Sequence, residues 1–104
     1  MADHDFTLLY DKYPGIIAQM PHEFTSHQFI LRLARQEQKL YIEALYDYRD
    51  SLHKGEEAPF MKVHGILSQR LLDLPNLVAR VGQVSSTDIF GQSNNCALWR
   101  RVEK

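Results

Sequence analysis

At 104 residues the chain is sized for one domain built on a single core. Its 44% apolar and 24% charged residues exclude a disordered chain, and no apolar run approaches the roughly 18 residues needed to cross a bilayer. The lone cysteine, Cys96, excludes an internal disulfide, and the acidic start Met1 to Asp5 is unlike a secretory leader, so the expectation is a cytoplasmic protein without a membrane anchor. The net charge of −1 is unevenly divided: residues 1–59 carry six basic against ten acidic side chains, residues 60–104 six against three. A basic C-terminal part suits an anionic partner on one face.

In chain order, Phe6, Leu9, Tyr10, Tyr13, Ile16, Ile17 and Met20 recur at the helical spacing of three and four. Pro14 is tolerated only in a first turn, so residues 1–21 read as an N-terminal arm of two short helices or one kinked helix, closed by Pro21. Residues 24–50 form a second helical segment. Thr25 and Ser26 are candidate N-caps with Phe24 as the preceding staple, and the apolar gap at Gln36-Glu37-Gln38 predicts a break between two helices. Tyr41, Leu45 and Tyr48 make a ridge that packs on the N-terminal helices, with self-association as the other use of such a stripe. Residues 51–58, with Gly55 and paired glutamates, read as a surface loop.

Pro59 suits the start of the next helix, 59–74, in which Val63, Leu67, Leu71 and Leu74 form the core stripe and Lys62, Gly65, Gln69 and Asp73 the opposite face, with Ser68 and Arg70 on the flanks. Residues 77–102 read as two antiparallel strands, Leu77 to Val84 with a bulge at Gly82 and Cys96 to Val102, around the polar loop Ser85 to Asn95. Trp99 is expected in the core, and Arg100 and Arg101 cannot both face inwards. Ile89 and Phe90, apolar in a polar loop, are expected to fold back over the core; if exposed, they form a tip for a partner protein.

A helix followed by a hairpin at the end of a small helical domain resembles a winged helix-turn-helix. The expected fold class is therefore α+β, mostly helical, a winged-helix-like domain with an N-terminal helical extension and a C-terminal β-hairpin. The resemblance implies a DNA-binding or transcription-linked accessory protein gripping double-stranded DNA. It turns Lys62, Ser68, Gln69 and Arg70 towards the groove, and Arg80, Asn94, Asn95, Arg100 and Arg101 towards phosphates. Asp73 shares the contact face and opposes phosphate. The alternative is a protein-interaction module, or a homodimer, using Ile89, Phe90 and the tyrosine ridge. The five histidines lack Cys or acidic partners at ligand spacing, and there is no phosphate loop, dinucleotide fingerprint or nucleophile elbow, so neither a cofactor, a metal nor catalysis is expected.

Overall fold

Two prolines and one capping box set the boundaries of the N-terminal half. The computed structural model describes residues 5–50, 58–89 and 91–102, so the expected loop at 51–58 lies, but for Ala58, outside the described residues, as does Phe90. Helix α1 (Thr7–Tyr10) starts on Asp5, whose carboxylate accepts from the Thr7 amide at 2.9 Å. Helix α2 (Tyr13–Gln19) holds Pro14 in its first turn, where the missing amide hydrogen costs nothing. The Pro14 interruption thus resolves as two helices.

Helix α3 (Ser26–Gln36) opens with a reciprocal cap: Thr25 Oγ1 accepts from the Gln28 amide at 3.1 Å, and Gln28 Oε1 accepts from the Thr25 amide at 2.8 Å. Phe24 sits just before the cap with its ring 6.2 Å from that of Phe29, the expected staple. Glu37 leaves helical geometry (φ −120°, ψ 53°), and α4 (Gln38–Asp47) follows directly, so the break falls in the apolar gap. Tyr41 and Tyr48 are buried, and the Tyr48 ring stacks on Phe6 at 6.3 Å, so the tyrosine ridge is used internally. The two ridge tyrosines thus take the packing role expected for them, with Leu45 half-buried beside them.

Helix α5 (Pro59–Arg70) runs into a 3₁₀ turn, Leu71–Asp73. Val63, Leu67 and Leu71 are almost wholly buried, and the Tyr13 hydroxyl donates to the Leu67 carbonyl, tying α2 to the last turn of α5. These side chains join Leu9, Phe24, Phe29, Leu33 and Trp99 in one continuous apolar cluster.

The C-terminal hairpin pairs β2 (Val78–Thr87) with β3 (Ser93–Arg101), antiparallel, with a register shift between Arg80 and Gly82 where a bulge was expected. Two features differ from the sequence reading. The strands continue through Ser85–Thr87 and Ser93–Asn95, leaving only residues 88–92 as the loop; the antiparallel ladder overrides the turn preference of these short polar residues. Glu23–Thr25 forms a further strand, β1, antiparallel to β3, so the sheet has three strands in the order β1-β3-β2. At the tip, the Gly91 amide donates to the Asp88 carbonyl at 3.0 Å and Gly91 takes φ 86°, where a side chain would be strained.

Candidate functional site

The hairpin does not stand away from the helices. Asp88 is buried and Ile89 packs against the core cluster, so the tip bends back towards α4 and α5, as expected for Ile89. The Asp88 carboxylate accepts from the Gln92 amide at 3.0 Å, closing the loop on itself. Between the hairpin, the first turn of α3 and α5 lies a cleft of about 430 Å³, within the size range of small-ligand sites.

A chain of hydrogen bonds welds the three walls together. The Trp99 indole N–H donates to Ser26 Oγ at 2.8 Å, and Ser26 Oγ lies 2.8 Å from Ser68 Oγ. Strand β3, the start of α3 and the last turn of α5 thus share one buried hydroxyl. At the other end of the cleft Tyr41 Oη and His64 Nε2 are 2.6 Å apart, with the two rings stacked at 5.7 Å. Burial pushes the His64 pKa down to about 4, opposed by the nearby Asp88 carboxylate and helped by His27. Burial, then Asp88, pushes the Tyr41 hydroxyl up to about 12. Both groups are therefore neutral at pH 7, and the Tyr41 hydroxyl and His64 Nε2 share one hydrogen bond.

The exposed side of α5 and the turn after it is a ridge of Met61, Gly65, Gln69 and Leu72, which borders this cleft on one side and a second depression on the other. A Cβ on Gly65 meets nothing within 4 Å, so the ridge dips there to bare backbone. Lys62 lines the second depression and Arg80 the first.

The nine residues expected to face DNA do not share one surface. Gln69, Arg80, Asn94 and Asn95 all line the cleft, as does Ser68 at its inner wall. Lys62 is on the far flank of the ridge, its Nζ 5.6 Å from the Tyr48 ring centre. Ser68 is turned inward to Ser26, which removes it from any groove-facing set. Arg70 is likewise withdrawn: its guanidinium lies 4.6 Å over the Tyr10 ring and 3.6 Å from the Asp73 carboxylate, fastening α1 to α5. Arg101 donates to the Ala18 carbonyl at 3.2 Å and so braces α2. Arg100 pairs in register with Ala79 and Glu23, on the sheet face opposite to that of Trp99 and Arg101. The expectation that Arg80, Arg100 and Arg101 gather on one phosphate-facing surface is thus corrected by strand alternation and by the carbonyl that claims Arg101.

Four cleft residues escaped the sequence reading. Gln83 pairs with Ala97 across the ladder, and His27, in the first turn of α3, has a buried Nδ1 with no hydrogen-bond partner among the described residues. Asp88 and His64, far apart in sequence, both line the cleft, close enough for the carboxylate to act on the imidazole. Alternation along β2 was the signal available for Gln83; none marked the convergence of His27, His64 and Asp88. Among the described residues no group of three or more His, Cys, Asp or Glu side chains is arranged to hold a metal ion, and no helix is long and apolar enough to cross a membrane.

No family model matches the chain, and no curated protein or solved structure is significantly similar to it.

Proposed function

We propose that this chain is a non-enzymatic, winged-helix-like module that holds double-stranded DNA against the exposed ridge of α5 and the adjoining edge of the hairpin. The observation that carries this reading is the ridge itself: Met61, Gly65, Gln69 and Leu72 project between two depressions, with a cation on either side, Lys62 and Arg80. An α-helix fits the major groove, where the Gln69 carboxamide can pair with an adenine edge and Met61 and Leu72 can meet thymine methyl groups. Helices, a short strand, more helices, then a hairpin onto which that first strand is added is an order that supports the winged-helix resemblance.

Two phosphate-facing cations predict a modest salt dependence. Neutralising about two phosphates gives a slope near −1.8 in log K against log salt, or about tenfold weaker binding between 50 and 200 mM salt. Fluorescence anisotropy with a labelled mixed-sequence duplex measures this directly. No binding at low salt with micromolar protein overturns the reading.

The second reading, a protein-interaction module, is favoured by the apolar character of the same ridge, where Met61 is 41% and Leu72 50% exposed. It predicts a partner whose affinity hardly changes over the same salt range.

A further inference from the structure

The cleft beside the ridge has a chemistry the duplex reading leaves unused. Its volume of about 430 Å³ exceeds what a side-chain contact to a groove requires. Its polar lining includes four carboxamides, Gln69 from α5 and Gln83, Asn94 and Asn95 from the hairpin, beside two serines, two histidines, Asp88 and the Arg80 guanidinium. A carboxamide offers a donor and an acceptor in one plane, which is the complement of a nucleobase edge and a poor match to a phosphate. The apolar surface is equally specific. The floor of the cleft is core: Trp99, whose indole N–H is already spent on Ser26, and Ile30 lie beneath the opening and are each 2% exposed. Asp88, the carboxylate in the lining, accepts from the Gln92 amide. His27, whose Nδ1 is buried and unpartnered among the described residues, contributes an imidazole on which a base can stack.

We propose that this cleft receives one unpaired base from a nucleic acid lying on the α5 ridge, with Arg80 at the cleft holding the phosphate beside it. The inference rests on the nucleic-acid reading above and extends it. Because Met61, Gly65, Gln69 and Leu72 border the cleft as well as the ridge, a strand following the ridge passes directly over the opening. A fully paired duplex uses the ridge and its flanking cations and leaves the cleft empty. A bulged, frayed or extrahelical base has somewhere to go, and its unstacking is repaid by hydrogen bonds to its edge.

The test compares three duplexes of one sequence: fully paired, with a single bulged 2-aminopurine, and with an abasic bulge. The bulged base is expected to bind at least about fivefold more tightly than the paired and abasic forms, with a change in 2-aminopurine emission and in the emission of Trp99, the single tryptophan. Gln83→Met, at an exposed position, keeps the unbranched side-chain length and removes the carboxamide hydrogen bonds; it should abolish the bulge preference and leave paired-duplex affinity unchanged. Equal, salt-sensitive binding of all three duplexes with silent fluorophores overturns the base site while the duplex reading stands. Absence of binding to any of them overturns both, and a Trp99 response to an unstructured peptide instead of the bulged duplex overturns the choice of ligand.

Discussion

The buried pair of Tyr41 and His64 makes stability depend on pH in a way that one substitution isolates. His64 is 8% exposed and its folded pKa is about 4, against 6.5 for the free side chain. Between these values the unfolded chain binds a proton that the folded chain refuses. The contribution of a neutral His64 is therefore complete above pH 6.5 and is lost as pH falls towards 4. From pH 7 to pH 5 the loss is about 1–2 kcal/mol, once water reaching the ring is allowed to screen part of the full value. In a chain of this length that lowers the melting temperature by about 5–12 °C. His64→Gln removes the titration; His27, Asp88 and Tyr41, the other titratable groups at this end of the cleft, remain in both proteins. The variant starts less stable at pH 7, having lost the stacked ring, yet its drop from pH 7 to pH 5 should be smaller than that of the wild type by the same 1–2 kcal/mol. Urea melts followed by circular dichroism at the two pH values supply all four numbers. An identical drop in both proteins refutes the assignment of His64 as a neutral buried base.

The remaining predictions concern the hydroxyl relay and the ridge. Ser26→Ala leaves the buried Trp99 N–H without its acceptor and should cost about 1–3 kcal/mol, whereas Ser68→Ala leaves that bond intact and should cost less than about 1 kcal/mol; thermal melts giving equal losses for the two would contradict the relay. Gly65→Ala, with open space for the new methyl group, should raise stability by about 0.5–1 kcal/mol through helix propensity. Since the same methyl fills the dip in the ridge, it should also weaken duplex binding severalfold, and a variant both stabler and unchanged in affinity would remove Gly65 from the contact surface.

Most of the helical half was legible because its signals are local. Pro14, Thr25, the apolar gap at residues 36–38 and Pro59 each act through the backbone within a few residues of themselves, and each marks a real boundary. Strand β1 was not legible: three residues carry no period, and their partners Leu98 to Arg100 lie at the other end of the chain. The length of the hairpin was underread because Ser85 to Thr87 and Ser93 to Asn95 have turn-forming side chains whose backbone groups are nevertheless claimed by the ladder. The site divides in the same way. That Arg100 and Arg101 oppose one another follows from strand alternation, but that Arg101 is held by the carbonyl of Ala18, or Ser68 by Ser26, depends on which helices meet. The cleft is assembled from α3, α5 and the hairpin, and no single segment announces it.

The central claim is that the α5 ridge with Arg80 beside it is the duplex-binding surface, and amide chemical-shift mapping with a mixed-sequence duplex at low salt tests it residue by residue. The account predicts shifts concentrated at Met61, Gly65, Gln69, Leu72 and Arg80, fading as salt is raised. Shifts confined to the outer faces, at Arg100 or at the exposed Ile42 and Tyr46 of α4, or the absence of shifts altogether, would contradict it.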